Sequence, residues 1–507
     1  MNQILADPTD FGNEPGDGPL RVGGVPGEPD SDANKPSTMC PQAKAQRGAL
    51  QKVRDLWRGV DAIRTEAYLP KAQGEDTKNY LNRLARSAFY NAFRRSVEGL
   101  AGLVFRKDPV LSDDVPDQIV EHWENIDNAG THGDVFCHDL LKDDLTAGHS
   151  AILVEFPKTD GTQDAATEMR GELRPYWVPI KKDDIISWRT TTVDGSLVLL
   201  QVVIRECTYE PVGAFGTKEV TRYRVLMQTD MGPAWRLLEE RDNAVFEVDA
   251  GFYANQDEIP LAEVTSAGRV SIFESDPPLK DLAYLNIAHF QMWSDYNWSI
   301  HKTCVPFIFG AGIDNKDEQG NKVPLIVGAN HAVLVPEPSA TMEYVSHSGE
   351  ALGSVESALE NLKSDMGSLG LAMLAPQKRS AETAEAKRLD KATSDSALAV
   401  TARGLQDGIE RALQYHAKYL RLDTGGSVEI NRDFEGLLMD APVMQAYAQL
   451  VQAGFPPRSV LQALVDGGRI REDEDLDALE LEWLAGNAAR QAIADEIDDE
   501  TEDPVAA

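Results

Sequence analysis

A narrow apolar seam in the second half of the chain is the feature that most restricts its fold. In SVESALENLKSDMGSLGLAML, residues 354–374, apolar side chains alternate steps of four and three. The seam residues are Val355, Leu359, Leu362, Met366, Leu369 and Met373. A heptad stripe of this kind predicts a long helix that packs lengthwise against other helices.

A second rod precedes the seam helix. Between Pro277 and Pro306, apolar and aromatic residues again recur every three or four positions. They are Leu282, Leu285, His289, Trp293, Tyr296 and Ile300. About twenty-five helical residues at 1.5 Å each make a rod of roughly 37 Å. The runs PFIFGAGI, VPLIVG and HAVLVPE, separated by polar turns, predict a small β element between the two helices.

A third helical segment follows the break APQKRS. With Ser380 as its N-cap, a helix is predicted from Ala381 to about Leu422, because no proline interrupts this stretch. Its length would be roughly 60 Å, and Gly404 and Gly408 are the expected places for a bend. A helix this long is typical of a rod or a ring component.

The remainder predicts a mixed α+β fold. Helical periodicity covers 44–64 and 75–105, and a shorter helix is expected near 134–147. Short β-branched runs bounded by Gly, Pro and Asp predict strands at 150–156, 197–206, 220–228 and 268–275. Two short helices are predicted after Pro442.

Two clusters on the predicted helices allow more than one interpretation. Four arginines within 83–95 could face phosphates, face solvent or form salt bridges between subunits: Arg83, Arg86, Arg94 and Arg95. Four aromatic residues could stack on bases or pack against neighbouring elements: Phe290, Trp293, Tyr296 and Trp298.

The charge of the chain restricts how it can meet nucleic acid. Its formal net charge is -34. Residues 1–40 contribute -5 and residues 472–507 contribute -13, which leaves -16 for the body. Tight binding to nucleic acid needs Lys and Arg to displace counterions, so the general surface is not expected to bind it. Residues 1–40 read as a disordered arm because they are rich in Pro, Gly and Asp.

Motifs for catalysis are scarce. The sequence has no phosphate-binding GxxxxGK[ST] loop, no GxSxG and no HExxH. The group His132, Asp134 and His138 lacks further ligands, so helix-start polar residues are expected rather than a metal site. Three aspartate pairs could hold Mg²⁺ in a nuclease but arise easily by chance in an acidic chain: Asp113/Asp114, Asp143/Asp144 and Asp183/Asp184.

The spacing of the cysteines and the hydropathy of the sequence restrict where the protein is expected to be located. Cys40, Cys137, Cys207 and Cys304 are widely spaced and are expected to be buried free thiols. No secretory signal and no run of eighteen apolar residues is present, so we expect no membrane association and a cytoplasmic site of assembly.

One segment and the order of the elements carry a family resemblance. The stretch NAFRRSVEGLAGLVFRKDPV, residues 91–110, looks like the N-terminal region of tailed-bacteriophage portal proteins, the head-to-tail connectors. The later order is also similar over roughly residues 45–485. The resemblance implies a portal-type fold with an α+β wing, a two-helix stem, a β clip, a long kinked helix and a helical crown.

The implied organisation divides the chain as follows. A disordered arm, 1–40, precedes the wing, 41–275. The stem helices, 276–304 and 347–374, flank the clip, 305–346. A tunnel loop, a long helix with the crown and an acidic tail occupy 375–381, 382–485 and 486–507.

The resemblance also implies a function. Such proteins form rings, usually of twelve subunits, at one capsid vertex of the virion and conduct double-stranded DNA without sequence specificity during packaging and ejection. The implied partners are the terminase large subunit, a head–tail adaptor, and the major capsid and scaffolding proteins. No enzyme activity, cofactor or metal is implied. The alternatives are another structural connector of the virion or a metal-dependent nuclease of mixed fold.

Candidate site residues follow from this resemblance. The tunnel loop would place four residues at the DNA channel: Pro376, Gln377, Lys378 and Arg379. The clip would present five residues to the motor or adaptor: Asp314, Lys316, Asp317, Glu318 and Lys322. Two interpretations of the cations in the loop stay open, because they could touch DNA phosphates or pair with Glu382 and Glu385.

Overall fold

A computed structural model gives the fold of the chain and combines helices with antiparallel sheets. The described residues are 20–21, 34–158, 173–242, 244–304, 307–311, 339, 341–345, 350–373, 396–432, 434, 458–459, 462, 476–478 and 480–481. Most of residues 1–40, the segment 374–395, most of 312–340 and nearly all of 435–507 therefore lie outside the description. The predicted α+β class is confirmed.

Four helices open the described chain: α1 (Pro41–Arg58), α2 (Val60–Ile63), α3 (Thr77–Arg86) and α4 (Ala92–Val104). The single helix predicted over 75–105 is wrong, because the chain leaves the helical conformation between Ser87 and Asn91. Asn91 fixes this break by capping α4, since its Oδ1 accepts from Arg94 N at 2.9 Å and its Nδ2 donates to Leu56 O at 2.8 Å.

The helical periodicity over 75–105 predicts one apolar stripe that includes Leu81, Val97 and Leu100, and this prediction is partly wrong. Leu81 is more than half exposed, whereas Val97 and Leu100 are buried as expected. A stripe drawn through a non-helical break loses its phase, which explains the error at Leu81.

The body is built on two antiparallel sheets. A six-stranded sheet has the order β1-β9-β8-β7-β6-β5, and a three-stranded sheet has the order β10-β3-β4. The strands are β1 (Leu20–Arg21), β3 (His149–Glu155), β4 (Tyr176–Lys181), β5 (Ile185–Val193), β6 (Ser196–Val212), β7 (Gly216–Thr229), β8 (Gly232–Arg241), β9 (Ala244–Phe252) and β10 (Leu261–Thr265).

Shorter elements connect these sheets. Helices α5 (Asp117–Trp123) and α6 (Gly133–Ala147) precede β3, and a 3-10 turn (Lys182–Asp184) leads into β5. Strand β2 (Val110–Leu111) pairs with β15 (Val428–Glu429), and β11 (Arg269–Ser271) pairs with β12 (Glu274–Ser275).

The main core joins distant parts of the sequence. Strand β3 is buried at every position, which fits its nearly continuous apolar run, and α4, α6 and helix α9 (Ala397–Leu420) pack around it. A smaller core under the six-stranded sheet consists of Ile186, Val203, Val225 and Leu238.

The long helix predicted from Ala381 is wrong in its start. The described helix α9 begins at Ala397, because Ser396 has an extended backbone and its Oγ accepts from Ala399 N at 3.1 Å. Gly404 and Gly408 serve close packing: an added Cβ would lie 1.9 Å from Thr265 O at Gly404 and 2.5 Å from Val264 Cγ2 at Gly408. The helix continues through both glycines, and it ends at Leu420, where Arg421 takes a left-handed conformation.

The chain then contains two further long helices. Helix α7 (Lys280–Cys304) is followed by strand β13 (Phe307–Ala311). Strand β14 (Thr341–Val345) is followed by helix α8 (Glu350–Ala372). The helices predicted over 277–304 and 354–374 are therefore confirmed, with small shifts at their ends.

Candidate functional site

Helices α7 and α8 form an antiparallel hairpin that carries a small sheet at one end, and we name this unit the stem hairpin. The helices have 25 and 23 residues. At 1.5 Å per residue they are about 37 Å and 35 Å long. Strands β13 and β14 pair from Phe307 opposite Val345 to Ala311 opposite Thr341. The sheet thus continues the hairpin beyond the end of α7.

The heptad seam of α8 faces α7, as its periodicity predicts. Leu359, Met366 and Met373 are buried, while the seam residues between them are half-buried. Across the seam, Lys363 Nζ lies 6.0 Å from the ring centroid of Trp293. The remaining surface of α8 is exposed along most of its length, so this helix is covered on one side only.

An open cleft separates the two helices toward the β13–β14 end. Its volume is about 450 Å³, and Met292, Tyr296, Leu352 and Val355 contribute apolar lining. The seam is therefore closed near the body and open near the small sheet.

The base of α7 is fixed by buried polar contacts to the N-terminal helices. Asn286 Oδ1 accepts from Phe93 N at 3.0 Å, and its Nδ2 donates to Tyr90 O at 2.8 Å. Gln291 Nε2 donates to Tyr68 O at 2.8 Å. Because Asn286 is fully buried, these bonds fix both the position and the rotation of the helix.

The aromatic residues of α7 take part in packing contacts. Phe290 is fully buried and makes an edge contact with Phe89 at 5.8 Å between ring centroids. Trp293 lies edge-on to His289, and Trp298 lies beside His301. The sequence allowed these aromatic residues either to stack on bases or to pack against neighbouring elements, and the contacts observed here are packing contacts.

The four arginines of α3 and α4 make contacts within the chain. Arg83 is buried and pairs with Glu75 at 2.8 Å and with Asp295 of α7 at 3.4 Å. Arg94 pairs with Glu98 at 2.8 Å. The other two lie beside aromatic partners: Arg86 Nη1 is 3.3 Å from His301 Nε2, and Arg95 stacks on Tyr90. The contacts of Arg83 with Asp295 and of Arg86 with His301 brace the stem hairpin from the side.

A buried lysine holds the chain where it enters α7. Lys182 Nζ donates to Ser275 O at 2.6 Å and to Ala147 O at 3.0 Å. Burial lowers the pKa of Lys182 to about 8. His149 Nδ1 and Ser275 Oγ are 2.9 Å apart, so β3 also contacts this junction. No sequence motif indicated this cluster, because its members are far apart along the chain.

Two of the three aspartate pairs lie close together in the structure, and the guanidinium of Arg54 lies between Asp143 of one pair and Asp183 of the other. Arg54 Nη2 donates to Asp143 Oδ2 at 3.0 Å, and Arg54 Nε donates to Asp183. Burial raises the pKa of Asp144 well above its ordinary range. Across the ranges that the structure describes, no three His, Cys, Asp or Glu residues are grouped to hold a metal ion.

The other polar candidates have local roles. His132 caps α6, and its Nδ1 accepts from Asp134 N at 3.2 Å. Asp134 in turn accepts from Trp123 Nε1 at 3.0 Å. Of the cysteines, Cys137 is buried as expected, whereas Cys40 is only half-buried and Cys207 is exposed, so the prediction of burial is wrong for Cys207 and only partly met at Cys40.

The exposed face of α8 is polar and acidic. Glu356, Glu360 and Asp365 are exposed there among serine and glycine residues, and Lys363 pairs with Glu360 at 2.9 Å. Over Glu350–Ala372 there are four acids and one lysine, a net charge of -3. This side of the stem hairpin therefore repels anions such as the DNA backbone.

The candidate residues of the tunnel loop and of the clip lie outside the described residues. This holds for Pro376, Gln377, Lys378 and Arg379, and for Asp314, Lys316, Asp317, Glu318 and Lys322. Among the helices that are described, none is long and apolar enough to cross a bilayer.

One known protein family matches the part of the chain that begins with the stem hairpin. Residues 278–420 match a domain of unknown function, DUF4055. This match spans α7, the small sheet, α8 and α9. A comparison with curated proteins finds no match.

Comparison with solved structures finds chains from gene transfer agent particles. One, from the virion of a native gene transfer agent particle, is 13% identical over 78% of this chain and 95% of that chain, with a TM-score of 0.35. Another, from the neck of the empty particle, is 14% identical over 75% of this chain and 89% of that chain, also with a TM-score of 0.35. TM-scores in this range do not establish a shared fold, so the proposal below rests on the chain's own architecture.

Proposed function

We propose that the chain is a portal-type subunit, a structural component of a phage-like particle. Copies would form a ring at one capsid vertex that admits double-stranded DNA during packaging and releases it at infection. The observation that supports this proposal best is the stem hairpin. Two helices of about 36 Å run side by side, one is covered on one side only, and a small sheet lies at their far end.

The surfaces of the stem hairpin suit a closed ring. In such a ring each subunit shows one face to the neighbour on its left and a different face to the neighbour on its right. The seam of α8 packs within the chain, whereas none of the described residues covers its exposed face or the open cleft beside Tyr296 and Val355. These unlike surfaces are available for contacts between copies.

The charge of the hairpin suits a passage for DNA. Each phosphate that a protein neutralises adds affinity, so a wall rich in Lys and Arg would hold DNA rather than let it slide. The exposed face of α8 carries a net negative charge instead. At physiological salt its repulsion acts over about 8 Å, which is comparable to the clearance of a narrow bore.

The finer assignments extend this proposal. Residues 305–346 would form the clip that docks the terminase large subunit and later the head–tail adaptor, through Asp314, Lys316, Asp317, Glu318 and Lys322. Residues 375–381 would form the tunnel loop, with Pro376, Gln377, Lys378 and Arg379 at the constriction. The major capsid and scaffolding proteins would surround the wing. The ring would assemble in the host cytoplasm and remain at the capsid vertex of the virion.

We propose a passive, non-enzymatic role for this chain. ATP hydrolysis would then belong to the packaging motor, since the sequence has no phosphate-binding loop. The arrangement of Arg54 between Asp143 and Asp183 places a cation where a nuclease would need a metal. A Mg²⁺-dependent nuclease assay on the purified protein should give no cleavage above background.

Native mass spectrometry of the purified protein tests the ring directly. We expect a closed oligomer of about twelve subunits, with a central hole in negative-stain images that is wide enough for duplex DNA. A protein that remains monomeric from micromolar to millimolar concentration would contradict the proposal.

The tunnel-loop assignment needs a separate test. In Lys378→Ala/Arg379→Ala, we expect intact rings but altered packaging or retention of DNA. The matched control is Lys418→Ala/Arg411→Ala, which removes two cations that pair with Asp257 and Glu258 on the body. Packaging and retention equal to the wild type in the loop variant would remove these two residues from the channel.

A further inference from the structure

Strands β6 and β7 extend beyond the six-stranded sheet as a two-stranded arm. Strand β5 accompanies β6 only as far as Ile204, and β8 accompanies β7 only from Arg222 onward. Residues 207–221, here called the arm, pair only with each other, from Cys207 opposite Thr221 to Val212 opposite Gly216. At about 3.3 Å per residue, the arm reaches roughly 20 Å from the sheet.

The arm presents apolar side chains to solvent. Phe215 at its tip is wholly exposed, Tyr209 is 70% exposed and Val212 is 55% exposed. Two-stranded hairpins are marginally stable in water unless they pack against another element. A cluster of exposed aromatic and aliphatic side chains on such a hairpin indicates a binding surface.

The chemistry of the arm indicates a protein partner. Cys207, Tyr209 and Pro211 alternate along β6 and therefore share one face, with Glu219 opposite Tyr209. Residues 207–221 contain two glutamates and one lysine, so the arm has no net positive charge to attract nucleic acid or an anionic membrane. Unpaired strand edges and an aromatic face are instead typical of contacts between protein chains.

The sheet has two unlike edges, which is what a contact between successive copies in a ring requires. Strand β5 forms one edge and lies next to β6 of the arm. On the other side lies β9, which pairs with β8 along its inner edge, while on its outer edge only Phe246 and Glu247 pair with a described strand, Leu20–Arg21. Phe252 at the end of β9 is 53% exposed.

We propose that the arm docks on the next copy of this chain, on the side of its sheet that ends at β9, with Phe215 and Tyr209 at the contact. This inference rests on the proposed ring. It gives the wing a contact between subunits that is separate from the contacts of the stem hairpin.

The exposed thiol of Cys207 reports on this contact. Its alkylation by iodoacetamide, followed by mass spectrometry of the peptide, should be at least tenfold slower in the assembled ring than in protein diluted below the assembly concentration. Cys137 is buried, and burial raises the pKa of its thiol, so it should stay unreactive in both states. Equal alkylation of Cys207 in both states would overturn the proposal.

A pair of variants tests the energetic role of the tip. Phe215→Ala should raise the protein concentration at half-assembly by about tenfold or more, because it removes a large aromatic side chain that each contact between copies would bury. The control is Val110→Ala on β2, outside the six-stranded sheet, where Val110 is 59% exposed and the change should alter the concentration less than twofold. Both variants should keep the melting temperature of the monomer, since both side chains face solvent.

Cross-linking tests the location of the docking surface. A short bismaleimide should join Cys207 to Phe252→Cys of the next copy and give a ladder of covalent oligomers, whereas Val110→Cys on β2 should not. Rings that form normally in Phe215→Ala and give no ladder would overturn the arm contact while leaving the ring intact. A chain that stays monomeric under all conditions would overturn both the arm contact and the proposed function.

Discussion

Helices α8 and α9 have almost the same length and opposite surroundings. Helix α9 has 24 residues, of which 13 are buried, and it packs against β3, β10, α5 and α6. Helix α8 has 23 residues, and among those with described burial only Leu359, Met366 and Gly370 are buried. Helix α9 therefore obtains its stability within the chain, whereas α8 keeps a broad surface for contacts outside it.

Their sequences show why the two helices differ. In α9, small residues let a strand approach closely, as at Gly404 and Gly408, where an added Cβ would collide with β10. In α8, Gly353 and Gly367 have open space around them, and serines and acids fill the positions between the seam residues. Small residues thus serve tight packing in one helix and a smooth polar surface in the other.

The largest expected effect is in the core of α9. Ile409→Ala should lower the free energy of unfolding by about 2–5 kcal/mol, because the side chain is fully buried and its removal leaves a cavity. Leu371→Ala on α8, which is 65% exposed, should change it by less than about 0.5 kcal/mol. Guanidinium denaturation of the monomer measures both, and similar losses in the two variants would contradict the contrast.

The base of the stem hairpin should be nearly as sensitive. Asn286→Ala removes two hydrogen bonds and leaves the N–H of Phe93 and the carbonyl of Tyr90 without these partners, at a cost of about 2–4 kcal/mol. The control is Asn297→Ala. Asn297 is half-buried and lies further along α7 from the body, so its substitution should cost less than about 1 kcal/mol. Equal unfolding curves for the two variants would show that Asn286 does not anchor α7.

Burial of α9 also predicts an acid sensitivity. His416 is fully buried with its Nε2 2.8 Å from His122 Nδ1, and burial lowers the pKa of His416 to about 3. Because the unfolded state binds a proton below about pH 6.5, stability should fall as the pH drops from 6.5 toward 3. Between pH 7 and pH 4.5 the unfolding free energy of the wild type should fall by about 2 kcal/mol more than that of His416→Gln. Parallel pH profiles would contradict this role.

The smallest effect on stability is expected on the exposed face of α8. Glu356→Gln/Glu360→Gln should change the unfolding free energy by less than about 0.5 kcal/mol, because exposed charges and pairs contribute little. The same change should increase the affinity of the assembled ring for duplex DNA at low salt. Fluorescence anisotropy with labelled DNA measures this. The control is Glu121→Gln/Glu124→Gln, on and next to α5, which should leave the affinity unchanged, and equal affinities in all three proteins would show that α8 does not face DNA.

The stem hairpin could be predicted from the sequence because its pattern is local. The seam residues and the prolines at 277 and 306 define α7 and α8 to within a few residues. The start of α9 could not be predicted this way, since Ala381 and Ala397 both follow a plausible serine cap and the local pattern does not distinguish them.

The contacts that hold the site together could not be predicted from the sequence, because their partners are far apart along the chain. Arg54 meets Asp143 and Asp183, and Lys182 meets Ser275, across 89 to 129 residues of chain. Nothing in a single sequence marks such pairs. The polar Asn286 on the apolar side of α7 was the one local signal, because a buried amide requires partners.

An electron cryo-microscopy reconstruction of the purified, assembled protein tests the central claim most directly. We predict a ring in which the stem hairpins surround the hole, with the exposed acidic face of α8 turned toward the bore and α9 buried within each subunit. A compact monomer, or a ring whose stem hairpins lie on the outer surface away from the hole, would contradict the account.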